Sequence, residues 1–142
     1  MKKKFIAENK ELDNVIDFIH NELEKDVDMK TITKIDLVIE EIFVNIASYA
    51  YEKEKRGTVT INIEHQDNKI IITFEDEGIP FNPLLVKDPD IKQSVEDRKP
   101  GGLGIYMVKK MMDNVEYMYR DNKNVLIIEK NIWVNYINKV RG

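Results

Sequence analysis

Cysteine is absent from this chain of 142 residues, and histidine occurs only twice. Without thiols there is no disulfide, no thiolate metal site and no cysteine nucleophile, which fits a reducing compartment. With so few histidines as well, a zinc site lacks its usual ligands. Positive charge is not in excess either. The formal net charge is −4, so the chain shows no electrostatic footprint for nucleic acid, and an anionic membrane is disfavoured. No apolar run approaches the ~18 residues of a membrane span, and the basic start MKKKFIAENK leads into no apolar stretch of signal-peptide length. A cytoplasmic protein that binds neither nucleic acid nor membrane is expected. Proline is scarce and unevenly placed: all four lie between Pro80 and Pro100.

What is present reads as one globular domain over residues 1–142, long enough to bury about two-thirds of its unfolded surface. Lys3–Glu8 reads as a short strand. From Lys10 to about Asp26, Leu12, Val15, Ile16, Ile19 and Leu23 recur at helical spacing, and a longer helix is expected from about Thr33 to Tyr49. TVTINIEHQ and KIIITFEDE are β-branched-rich runs around a polar turn, an antiparallel hairpin. The proline-bearing segment GIPFNPLLVKDPDIKQSVEDRKPGG has no sustained periodicity, and a connection this long is usually functional. LGIYMVKKMMD returns to helix, and VEYMYR with NVLIIEKNI forms a second hairpin. The order β-α-α-β-β-loop-α-β-β predicts an α+β two-layer sandwich, a mixed, mostly antiparallel sheet with helices on one face.

Three stretches carry polar groups where packing alone does not require them. In IEEIFVNIASYAYE, a projection at ~100° per residue places Val38, Ile35, Ile42, Ile46 and Ile39 on one apolar stripe. Asp36, Glu40 and Ala47 fall on the opposite side. Glu41 and Asn45 share the margin of the stripe, one turn apart. A carboxylate there can take a proton and an amide oxygen can ligate a hard cation; both can also be plain helix-shoulder residues. In FEDEGIPFNP, Asp76 ends an apolar strand beside Gly78, which marks a turn or a carboxylate offered to a ligand's donor. In RKPGGLGIYMVKK, closely spaced glycines open a helix whose unpaired N–H groups can hold phosphate oxygens, or form a hinge. It is neither a Walker loop nor a dinucleotide fingerprint, since GxxxxGK[ST] and GxGxxG are both missing.

In this order the three stretches resemble the ATP-binding fold shared by gyrase, heat-shock chaperone, histidine-kinase and mismatch-repair ATPases (the GHKL superfamily, or Bergerat fold), with its ExxxN helix, DxG turn and glycine-rich lid ending in GxG. The small size and the wording EEIFVNIASYAYE, DEGIPFNPL and GGLGIYMVKKMMD resemble the bacterial anti-sigma regulatory serine kinases. The resemblance implies that Asn45 ligates Mg²⁺ on ATP or ADP and that Glu41 is the general base. It implies that Asp76 accepts from the adenine amino group, with Gly78 making room for the ring. Gly101, Gly102, Leu103 and Gly104 would supply amides to the phosphates, Arg98 would pair with the terminal phosphate, and residues 84–102 would form the lid. It further implies a homodimer, a small anti-anti-sigma (STAS-type) partner that is phosphorylated on serine, and a sigma factor that is bound. One departure stands out. Many superfamily members carry a threonine on the late strand that supports the Asp76-type contact, and NKNVLIIEK has none. Eukaryotic kinase signatures are also missing: there is no HRD, and Asp76-Glu77-Gly78 is not DFG.

Other polar positions read more plainly. His20, in FIHNELEK, lacks the proline of a phosphoacceptor box and reads as a helix-surface histidine; His65 reads as a turn residue. Met107, Val108, Met111 and Met112 read as core, with partner contact as the alternative, and EKEKR as a solvated turn. Three functions remain open on the sequence: a serine kinase that inhibits a sigma factor, a nucleotide-gated binding switch without phosphotransfer, and a structural domain with a decayed site. Intact Glu41, Asn45, Asp76 and glycines argue against the last.

Overall fold

The computed structural model describes residues 1–23, 27–52, 55–85 and 102–132. Five strands and three main helices follow in the order β1 (Lys2–Ile6), α1 (Leu12–Glu22), α2 (Met29–Asn45), β2 (Thr58–Gln66), β3 (Lys69–Asp76), α3 (Gly102–Met111), β4 (Asn114–Arg120) and β5 (Lys123–Asn131). The sheet order is β1-β2-β3-β5-β4, and every ladder is antiparallel. The expected α+β architecture is present, and the described residues contain no parallel pair. No described helix is long and apolar enough to cross a membrane.

Alternation decides which face of the sheet is covered. In β3 the buried residues are Ile70, Ile72, Phe74 and Asp76, while the residues between them are partly exposed. Antiparallel register then sets three rows across β2, β3 and β5. The first is Ile63, Ile72 and Ile128, the second Ile61, Phe74 and Leu126, and the third Val59, Asp76 and Asn124. Two rows are apolar, and the third turns polar at the end of the sheet. The second hairpin closes through Asp121 and Asn122, whose φ values of 55° and 61° suit a two-residue type I′ turn.

The helix layer is centred on α2, which packs against both α1 and α3. Ile35, Val38, Ile39 and Ile42 of the expected stripe are buried, and so is Phe43 outside it, because a helix with two neighbours needs a wider apolar face than one stripe. Ile46 is only partly buried. The helix begins earlier than its periodicity predicts because Asp28 caps it, accepting the Thr31 N–H at 2.7 Å. At its other end α-helical bonding stops at Asn45, and residues Ile46–Ala50 form a π-turn.

That widened turn delivers the Ala50 carbonyl to the backbone N–H of Ile79, at 2.8 Å. Tyr51 follows and fastens the same corner: its hydroxyl donates to the Thr58 carbonyl at 2.6 Å and accepts from the Glu77 N–H at 2.9 Å. Its ring lies over Gly57, where a methyl group would come within 2.1 Å of ring carbons. His20 lies 2.6 Å from Asp36 and links α1 to α2. His65 lies within β2, not after it, with Nε2 on the Glu22 carbonyl at 2.6 Å and Nδ1 buried without a partner. Ile105, Val108 and Met112 join the core, with Met111 packed against it.

Candidate functional site

Asp76 is 6% exposed and Asn124 is 7% exposed, the two polar residues in a core otherwise built of hydrophobic side chains among the described residues. A buried carboxylate is costly unless donors reach it. Here Oδ1 accepts the Gly78 N–H at 2.9 Å and the Asn124 amide N–H at 2.9 Å. Burial pushes the Asp76 carboxyl above its ordinary range, and those two hydrogen bonds pull it part of the way back.

Asn124 is the functional candidate that sequence reading missed. It stands directly opposite Asp76 in the β3–β5 ladder, at the strand where the family's threonine was found wanting. Its Nδ2 also donates to the Ile79 carbonyl at 3.0 Å, and its Oδ1 accepts the Phe81 N–H at 3.1 Å and the Tyr117 hydroxyl. The amide orientation follows from its neighbours, because a backbone N–H can only donate and a backbone carbonyl can only accept. One signal in the sequence pointed to it: Asn124 has the same parity as Leu126 and Ile128, so it faces the core.

Gly78 is required by the protein itself. A methyl group there would lie 2.3 Å from the Ala50 carbonyl oxygen, so the π-turn and the β3 exit approach each other backbone to backbone. Above this contact a cavity of about 470 Å³ opens between layers, within the usual range of small-molecule sites. Asn45 lines it from the end of α2, Ile46 and Tyr49 from the π-turn that follows, Ile105 and Val108 from α3, and Asp76, Tyr117, Asn124 and Leu126 from the sheet. Ile79, Pro80 and Phe81 form its rim.

Asn45 therefore meets Asp76 across one cavity. Glu41 sits one turn earlier, half-buried, while Glu40 is exposed. The Glu41 carboxylate lies against the first turn of α3: a methyl on Gly104 would be 2.2 Å from its Oε2. Gly102 and Leu103 open the same turn. Arg98, Gly101 and the lid segment from residue 86 onward lie outside the described residues.

Residues 5–130 match the family described as histidine kinase-like ATPase domain. The chain is similar to the serine-protein kinase RsbW of Bacillus mycoides, with 30% identity over 118 residues, covering 80% of this chain and 68% of the relative. The RsbW protein of Bacillus anthracis matches at 31% over the same shares of the two chains. Among solved structures, the catalytic domain of histidine kinase ThkA superposes with a TM-score of 0.59 at 18% identity, over 93% of this chain and 98% of that one. The histidine kinase domain of the blue-light activated kinase of Erythrobacter litoralis EL346 gives 0.56 at 15% identity, over 85% of this chain and 59% of that one.

Proposed function

Because the chain belongs to the histidine kinase-like ATPase domain family, we propose that it binds ATP and Mg²⁺ in the cavity between its helices and sheet and acts as an anti-sigma regulatory factor. Its catalytic activity on this reading is that of a serine-protein kinase toward a small anti-anti-sigma partner of the STAS type. The observation that carries the proposal is convergence. Asn45, Asp76 and Ile105, from segments far apart in the chain, line one cavity, and Glu41 lies against Gly104 beside it.

The roles follow from what each group can do. Asp76 accepts from the exocyclic amine of the base. The first-turn N–H groups of α3, at Gly102, Leu103 and Gly104, donate to phosphate oxygens. Asn45 offers one amide oxygen to a cation, and no group of three or more His, Cys, Asp or Glu side chains gathers into a cage among the described residues. Mg²⁺ suits such a site, since it keeps water and phosphate oxygens in its shell. When bound, it neutralises charge on the phosphates. Glu41 takes the proton of the partner's serine hydroxyl as that oxygen forms a bond to the terminal phosphorus and the bond to ADP breaks. Arg98, Gly101 and the lid at 84–102 enter the proposal on the sequence motif alone, the homodimer and the sigma factor on the family resemblance, and the single domain over 1–142 and the cytoplasmic location on length and composition.

The test is transfer of labelled phosphate from ATP with Mg²⁺ to a serine of the partner protein. A general base contributes about 10²–10⁴-fold, so Glu41→Ala should reduce labelling by that factor while nucleotide still binds. Binding without transfer would leave a nucleotide-gated switch in place of a kinase. No binding of ADP or ATP would refute the whole reading.

A further inference from the structure

The turn leaving β3 has used up its hydrogen-bond donors. Of its backbone N–H groups, that of Glu77 goes to the Tyr51 hydroxyl, that of Gly78 to Asp76, that of Ile79 to the Ala50 carbonyl and that of Phe81 to Asn124. Pro80 has none. The Asn124 amide is fully engaged too, with one N–H on Asp76 and the other on the Ile79 carbonyl. Because Asn124 Oδ1 can only accept, the Tyr117 hydroxyl must give its proton to it. Among the sheet-side groups, what remains for a ligand is the second oxygen of Asp76 and the lone pairs of the Tyr117 hydroxyl, while Asn45 and Tyr49 line the cavity from the helix side. Both sheet-side groups are acceptors.

We infer that Asn124 is the positioning residue that makes this end of the cavity acceptor-only, and so sets a preference for a base with an exocyclic amino group. It lines the cavity with its polar atoms already engaged by the protein. It holds Asp76 through Oδ1, leaving the other oxygen for the base, and it ties up the Phe81 N–H and the Tyr117 proton that would otherwise point a donor at the site. The inference rests on the nucleotide reading above and deepens it, since it concerns which base enters.

Calorimetric titration with ADP and with purine riboside diphosphate, the same ring without the amino group, tests it. A hydrogen bond to a charged group implies a preference for ADP of roughly tenfold or more in the unaltered protein. Asn124→Leu frees the Phe81 N–H and releases Asp76, and should bring the two affinities to within about threefold. Asn124→Ala removes the accepted and the donated hydrogen bonds alike without setting a second carboxyl against Asp76. It should lose the preference as well, and it serves if the leucine variant does not fold. Equal binding of both nucleotides by the unaltered protein overturns the inference and leaves nucleotide binding standing. Variants that weaken both nucleotides in proportion, with the ratio intact, also overturn it, because that is the signature of a merely structural role. Failure of the unaltered protein to bind either nucleotide overturns the nucleotide reading and this inference together.

Discussion

Asp76 occupies an inward position that an aliphatic residue would fill more cheaply. Its native pKa is raised by burial, so the folded state holds the proton more tightly than the unfolded chain does. The contribution of this group to stability is therefore fully present below the unfolded value of about 3.9 and is lost as pH rises through the native value. Asp76→Asn keeps an oxygen for Gly78 and Asn124 while removing the charge. The variant should melt higher than the unaltered protein at neutral pH, the two should converge as pH falls toward about 3.9, and adenine nucleotide binding should be lost. A lower melting temperature at pH 7 would contradict this. Residues of this kind were legible in the sequence because a charge at the end of an apolar strand breaks the pattern. Asn124 was legible only as an inward position by its parity, since its partner Asp76 lies 48 positions away and is brought opposite it by register, a tertiary fact.

Elements show the same division. Strands β2, β3, β4 and β5 were readable from β-branched runs and polar turns, and the centre of α2 from its apolar spacing. Its ends were not. Periodicity cannot see that Asp28 caps the helix, nor that bonding widens at Ile46–Ala50 to bring Ala50 against Gly78. The corner made by Tyr51 depends on Gly57 leaving space for the ring. Gly57→Ala would place a methyl 2.1 Å from the ring, which the ring can escape only by leaving the Thr58 carbonyl and the Glu77 N–H. Overpacking of this kind typically costs about 1–3 kcal/mol. The expected outcome is a lower denaturation midpoint together with weaker nucleotide binding, because the turn that follows Glu77 loses its anchor. Wild-type affinity in the destabilised variant would show that Tyr51 serves the fold alone.

At the scale of the whole molecule, one sheet carries both core and site. Ile72 lies in the middle of its row between Ile63 and Ile128 and is 2% exposed. Ile72→Ala should cost about 2–5 kcal/mol, seen as a shifted urea midpoint with an unchanged slope. A change in slope would contradict this, because it means an altered denatured state or a transition that is no longer two-state. The third row, Val59, Asp76 and Asn124, continues the same ladder, so the end of the cavity proposed for the base is built on the strands that build the core. The backbone N–H groups of Glu77, Gly78, Ile79 and Phe81 are bonded within the protein without any ligand. On the nucleotide-binding proposal, a base entering there meets a turn whose hydrogen bonds are already made, which lowers the ordering cost of binding at that end. Discrimination among bases on that proposal then depends on contact chemistry, read against a turn held by its own hydrogen bonds.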